Sequence, residues 1–291
     1  MKKLTSKPLA ATIGAAALCL GLAVAAVPAA AQDAAAKGTV FDGDYLIVGG
    51  GAVYGPSYDG SDDYVIDPVP AIQGRLFGIG INAKNSGLSL DFINDGGNKI
   101  SFAFGPSARL RSNRAVHIKD PVVEQLGTLK RAIEVGGTAG VGINKLITGY
   151  DTLSIGVDVR KDINGSHGGW VINPSVSYFT PLSKGIAVVL GADAEHADDK
   201  FMNYYFSVSP AGSLATGGVL PAYQAHGGWR KIGGSAIAAF DLDGDLTNGG
   251  LSIVAFGSYY REINDAEFSP IVSVRGSVNQ WNGGLGLALA F

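Results

Sequence analysis

The stretch Asn279-Gln-Trp281-Asn-Gly283-Gly-Leu285-Gly-Leu287-Ala-Leu289-Ala-Phe291 ends the chain in strict alternation. Trp281, Gly283, Leu285, Leu287, Leu289 and Phe291 fall on one face, and small or polar residues fall on the other. Period two over about ten residues is the mark of a strand that crosses a bilayer, apolar toward lipid and polar toward a lumen. Hydrocarbon offers backbone N–H and C=O groups no partners, so such a sheet must close on itself. The segment therefore predicts the last strand of an outer-membrane barrel. Leu285, Leu287, Leu289 and Phe291 also form the kind of C-terminal assembly signal that barrel-insertion machinery reads.

Working back along the chain, the same alternation recurs. Leu153, Ile155, Val157 and Val159 oppose Thr152, Ser154, Gly156, Asp158 and Arg160. A helix would smear those charges through its apolar stripe. Ile133, Val135, Gly137, Ala139, Val141 and Ile143 repeat the pattern, as do Ile100, Phe102, Phe104, Ala108 and Leu110. Further strands are predicted at about 44–54, 68–78, 86–93, 170–180, 185–195, 200–208, 229–242 and 250–261. The expectation is one all-β domain, a single transmembrane antiparallel up-and-down β-barrel of about twelve strands. Asn94-Asp95-Gly96-Gly97, Asn164-Gly165 and Asp243-Gly244-Asp245 supply the turns. A soluble β-sandwich also alternates, but its wet face would carry lysine and glutamate rather than glycine and serine.

At the other end, Lys2, Lys3 and Lys7 precede an apolar run from Leu9 to Val27 and the small-residue site Pro28-Ala-Ala-Ala31. This reads as a secretory signal peptide over 1–31, with 32–291 as the exported barrel of a Gram-negative outer membrane. The single cysteine, Cys19, lies inside the leader, which excludes a disulfide framework and a catalytic thiol in the exported chain. Loss of three lysines makes the net charge more negative than −3, so nucleic acid is excluded as a partner. The 43 glycines in 291 residues follow no collagen period, and apolar residues remain at 46%. Residues 32–291 contain no apolar run long enough to span a bilayer as a helix.

Several segments resemble the MipA/OmpV family of outer-membrane proteins. They are the tyrosine- and aspartate-rich Tyr54-Gly-Pro-Ser-Tyr58-Asp-Gly-Ser-Asp-Asp-Tyr64 with Pro68-Val-Pro70, Gly165-Ser-His-Gly-Gly169, and Ala197-Asp-Asp-Lys200 leading to Tyr204-Tyr-Phe-Ser-Val-Ser209. Leu220-Pro-Ala-Tyr223, Ser269-Pro-Ile271 and Gly276-Ser-Val-Asn-Gln280 complete the set. The family takes its name from an interaction with a murein-cleaving lytic transglycosylase. The resemblance implies a scaffold linking the outer membrane to a peptidoglycan hydrolase or synthase. Other relatives look like porins or adhesins, so a channel for small polar solutes stands as the alternative.

Motifs for other chemistry break down on inspection. Gly49-Gly-Gly51-Ala-Val-Tyr54 starts like a dinucleotide-binding turn, but Tyr54 sits where glycine is needed and Pro56 where a helix should begin. Asp241, Asp243 and Asp245 resemble a calcium loop, yet Leu246 and Ser252 replace its glycine and glutamate. Asp59, Asp62 and Asp63 offer carboxylates to a divalent ion without fixed geometry. Of His117, His167, His196 and His226, only His196 has several acidic neighbours, Asp193, Glu195, Asp198 and Asp199. A surface hydrolase would depend on it. No catalytic residue, cofactor or metal is predicted.

The predicted inward faces are charged. Arg75, Asp91, Arg109, Arg111 and Glu134 fall there, followed by Asp158, Arg160, Asp193, Glu195 and Lys231. Such charges are too costly toward lipid and either line a conduit or pair across the lumen. With both termini periplasmic, this strand count puts 55–66, 209–228 and 262–277 outside the cell and the long 113–130 connection in the periplasm. There His117, Ile118, Pro121, Val122, Val123, Leu126 and Leu129 would form a docking surface, unless the count slips by one strand before Leu110.

Overall fold

A computed structural model describes residues 38–84, 87–95 and 97–291. The expected leader and Cys19 lie outside the described residues. Twelve strands form a closed antiparallel barrel in sequence order, with the last returning to the first. They are β1 (Tyr45–Pro56), β2 (Tyr64–Leu76), β3 (Ile79–Lys84), β4 (Gly87–Asp91), β5 (Ile100–Arg111) and β6 (Ala132–Asn144). The ring continues with β7 (Thr152–Asp162), β8 (Trp170–Ser183), β9 (Ile186–Ala197), β10 (Gly228–Asp241), β11 (Gly250–Glu262) and β12 (Asn279–Ala290).

Two sequence expectations are corrected, and their errors cancel in the count. The segment expected as a strand at 200–208 is helical. After the short α1 (Pro121–Glu124), it forms α2 (Asp199–Phe206), followed by α3 (Pro210–Ala215), α4 (Asp265–Phe268) and α5 (Pro270–Ser273). Asp198 caps α2 by accepting from the Phe201 N–H at 3.0 Å. Phe201, Met202, Tyr205 and Phe206 then share one buried face at helical spacing. The missed strand is β3, whose Ile-Gly-Ile-Asn-Ala-Lys carries too few residues to display a period.

The extra strand before Leu110 moves 112–131 to the end of the barrel opposite the termini. The connections 57–63, 163–169, 198–227 and 263–278 lie at that same end, here called the loop end. The proposed periplasmic docking surface is thus overturned, and its side chains have another use. Ile118, Val122, Val123 and Leu126 pack with Tyr58, Val208, Leu220 and Ile271 in a cap. A second apolar cluster in the cap joins Phe201, Met202, Tyr205 and Phe206 to Val171, Ala225, Ala266 and Val272.

Two seams of the ring differ in character. Along β1 and β12 the ladder runs from Ile47↔Ala290 to Tyr54↔Gly283, and Phe291 extends it by exchanging both backbone bonds with Leu46 (2.8 and 3.0 Å). Close approach here requires glycine. A Cβ on Gly51 would lie 2.4 Å from the Leu285 carbonyl oxygen and one on Gly49 2.6 Å from that of Leu287, which explains two of the three glycines that mimic a nucleotide turn. Between β2 and β3, by contrast, pairing holds only from Gly74↔Ile81 to Leu76↔Ile79. Above Gly74 the ladder to β3 stops among the described residues, and β2 carries Pro68 and Pro70, which have no N–H to leave unpaired. Lys119 Nζ donates to the Tyr64 carbonyl at 2.7 Å near the top of that strand.

Toward lipid, Ile66, Phe104, Leu285 and Leu287 are exposed. Inside the barrel, Val53, Val69, Phe179, Val189, Ile237, Val254 and Ala288 form a buried apolar cluster on the β8–β2 side. The other side of the lumen is polar.

Candidate functional site

The strand ends beneath the cap carry the principal charge cluster. Glu195 on β9 accepts from Arg109 Nη1 (3.0 Å), Arg111 Nη2 (3.0 Å) and Asn173 Nδ2 (3.1 Å), and pairs with Arg230. Glu134 on β6 accepts from Arg111 Nε at 2.6 Å, with His167 Nε2 3.3 Å away and Arg160 Nε 3.8 Å away. Glu262 on β11 accepts from Arg230 Nη1 at 3.2 Å. Glu134, Glu195, Arg230 and Glu262 are all 0% exposed. Each buried charge therefore faces an opposite one within bonding distance, which offsets the cost of taking it out of water.

The cap locks onto this cluster from above. From the 57–63 connection, Asp59 Oδ2 lies 3.0 Å from Arg230 Nη2 and 3.9 Å from Arg111 Nη1. Burial alone would raise its carboxyl, but Lys231, Arg230 and Arg111 overcome that and hold it at about 2, below the ordinary 3.8. The Phe201 ring of α2 rests 4.6 Å from the Arg111 guanidinium carbon and 5.2 Å from that of Arg230. Arg114 Nη1 ties the 112–131 connection to the Tyr205 carbonyl at 3.2 Å.

Below the cluster, on the side of β3 to β9, lies a cavity of about 560 Å³. Arg109, Asp158, Arg160 and Asp193 line it, and Arg75 and Asp91 line it toward the end carrying the termini. Arg111, Glu134 and Glu195 belong to the cluster above. Lys231 pairs in register with Glu195 and places its ammonium 4.9 Å from the Tyr260 ring. Leu285, Leu287, Leu289 and Phe291 are exposed on or beside the outer face of β12.

Several participants escaped the sequence reading. Arg230 sits at a register shift between Trp229 and Lys231, so simple alternation assigns it outward. Glu262 continues the inward series of β11 one step beyond its expected end, a signal that was available. Lys84 lies on the missed strand and bonds Asp158 at 3.1 Å. Asp59, read as a surface carboxylate, turns inward.

The other motifs are absorbed locally. His196 faces out of the barrel, edge-on to Trp229 with centroids 5.3 Å apart, while Asp193 and Glu195 point to the opposite side of the strand. That takes Asp193 and Glu195 out of the acidic setting expected around it. His117 lies 3.5 Å from Asp67, and the His226 N–H donates to Asp265 at 2.7 Å. Asp241 Oδ1 accepts the amides of Asp243, Gly244 and Asp245, so the aspartate run is a self-capped turn.

The family profile described as MltA-interacting protein MipA matches residues 48–291, from the first strand through the terminal phenylalanine. The chain belongs to the MipA family. No curated protein sequence matches it. Among solved structures, this MipA-family barrel is similar to an outer membrane channel from Pseudomonas putida F1, at 12% identity and TM-score 0.41 over 86% of this chain and 96% of that one. It also resembles an anion-selective porin from Comamonas acidovorans, at 9% identity and TM-score 0.38 over 85% and 98%. The toluene transporter TodX of Pseudomonas putida aligns at 11% identity and TM-score 0.34 over 86% and 88%. Family membership rests on the 48–291 match.

Proposed function

We propose that this MipA-family protein is a non-enzymatic, non-conducting outer-membrane anchor for a peptidoglycan-remodelling enzyme, exported by its N-terminal leader. The observation that carries this reading is the closed throat. A pore at the level of Glu134, Glu195, Arg230 and Glu262 would leave them wet, yet all four are 0% exposed. The family description, an MltA-interacting protein, supports a murein enzyme as the class of partner. With the termini periplasmic, the partner meets the end opposite the cap. There the 145–151 turn is fastened by Asp151, which accepts the amides of Ile147 and Thr148 and the Tyr178 hydroxyl. It exposes Leu146, Ile147 and Tyr150.

Planar-bilayer recording on refolded protein tests the reading. We expect no stable conductance steps, and co-purification with a murein lytic enzyme that Ile147→Asp weakens. Regular steps from the intact protein would favour the solute channel instead. Deleting Phe291, which extends the closing ladder, is expected to impair insertion.

A further inference from the structure

The cavity below the throat is blind at the loop end and opens where Phe41, Asp44, Asn94 and Asp95 edge it, at the end carrying the termini. Its volume of about 560 Å³ falls within the span of small-molecule sites, roughly 300–1,000 Å³. One row of its wall reads Ser101, Gly142, Ser154, Ser177, Gly191 and Ser235 across successive strands. Glycine gives room there, and serine gives hydrogen-bonding groups without charge.

The charges are ordered along the cavity. Near the mouth, Asp44, Asp91 and Asp95 face a single cation, Arg75. At the blind end, Lys84, Arg109 and Arg160 share the wall with Asp158, while Glu195 and Glu134 stand behind the two arginines and Asp193 lies between the two groups. The blind end also retains unused bonding capacity. Ser89 Oγ and Arg109 Nε are buried and make no hydrogen bond, and Ser89 is only 2% exposed. Lys84 directs its ammonium to Thr138 (3.4 Å) and Asp158 (3.1 Å), which leaves a third donor. Buried polar groups without partners are uncommon in native proteins, and two of them, on Ser89 and Arg109, line this cavity.

We infer that this cavity binds a small zwitterion of amino-acid or dipeptide size. Its carboxylate lies inward among Lys84, Arg109 and Arg160, and its ammonium stays at the acidic mouth near Asp91 and Asp95. A plain anion would pass an acidic rim and leave those carboxylates unanswered. A plain cation would meet three positive side chains at the blind end. A neutral sugar would desolvate both ends without pairing either. The site does not depend on the anchor reading, because it needs only the barrel and the closed throat.

Titration calorimetry of the refolded protein with L-alanyl-L-alanine tests this, with acetate, ethylammonium and glucose as controls. The dipeptide gives saturable heat at one site per barrel, and the controls give none at the same concentrations. Lys84→Gln and Asp91→Asn each weaken binding about tenfold or more, the scale of one lost charge-assisted bond. Asp91→Asn keeps the oxygen that accepts from Ile93 and Phe104, so the nearby backbone retains its acceptor. Ser154→Phe fills the cavity without touching a charge and abolishes the heat, while heat-modifiable gel mobility confirms an intact barrel. Acetate binding as tightly as the dipeptide would reduce the site to an anion pocket and overturn the inference. An intact barrel that takes up no dipeptide, or an Asp91→Asn variant that binds unchanged, would overturn it too.

Discussion

Asp59 ties the cap to the throat arginines, which makes that contact depend on its charge. Its carboxyl is held at about 2 rather than the ordinary 3.8, so its contribution is fully present above about pH 4. That contribution is lost as the pH falls through about 2. Pepsin should leave the 198–227 connection intact at pH 4 and cut it increasingly toward pH 2. In Asp59→Asn the susceptibility should be raised and nearly flat across that window. Glu195 is a harsher test because it faces Arg109, Arg111 and Arg230 at once. Neutralising it in Glu195→Gln leaves guanidinium charge buried without its partner. The expected loss is about 3–5 kcal/mol of barrel stability, read from the urea midpoint of unfolding. Of this cluster, the alternation of β5, β6 and β9 exposes Arg109, Arg111, Glu134 and Glu195 in the sequence itself. Asp59 and Arg230 stay hidden because one arrives on a loop folded inward and the other on a register shift, and neither obeys a period.

At the scale of elements, period two identifies the long strands and fails where other forces choose. Residues 199–206 contain enough aromatics to pass as a strand, but the Asp198 cap and the 201, 202, 205, 206 spacing are helical signals that prevail once a cap core exists to receive them. β3 pairs with β2 only over Gly74–Leu76, so its place in the ring comes from the barrel rather than from its own pattern. The closing seam makes a sharper prediction. Gly51→Ala would put a methyl 2.4 Å from the Leu285 oxygen and 2.8 Å from the Gly286 Cα, whereas Gly50→Ala finds its nearest atom at 3.7 Å. The first should cost about 1–3 kcal/mol and lower the temperature at which the folded gel band converts, with the second near neutral.

For the whole molecule, the cap and the throat together decide whether a barrel of this size conducts. Cutting out residues 199–226 and joining the strand ends with a short glycine-serine link should expose Glu195, Arg230 and Glu262 to water. Conductance should then rise above that of the intact protein. The proline-edged gap between β2 and β3 carries a different consequence. The ring closes along the long β1–β12 ladder that Phe291 extends to Leu46, whereas three residue pairs join β2 to β3, so the seam of closure and a seam of weakness are different. Under heat or tension the β3–β4 hairpin should swing out like a gate on its β5 side. Hydrogen exchange should reach the amides of Gly80 and Ile81 long before those of Val48 and Gly50. Pro68 and Pro70 leave that opened edge poor in donors, so a barrel caught ajar has little to offer the strand of a neighbour and is free to shut again.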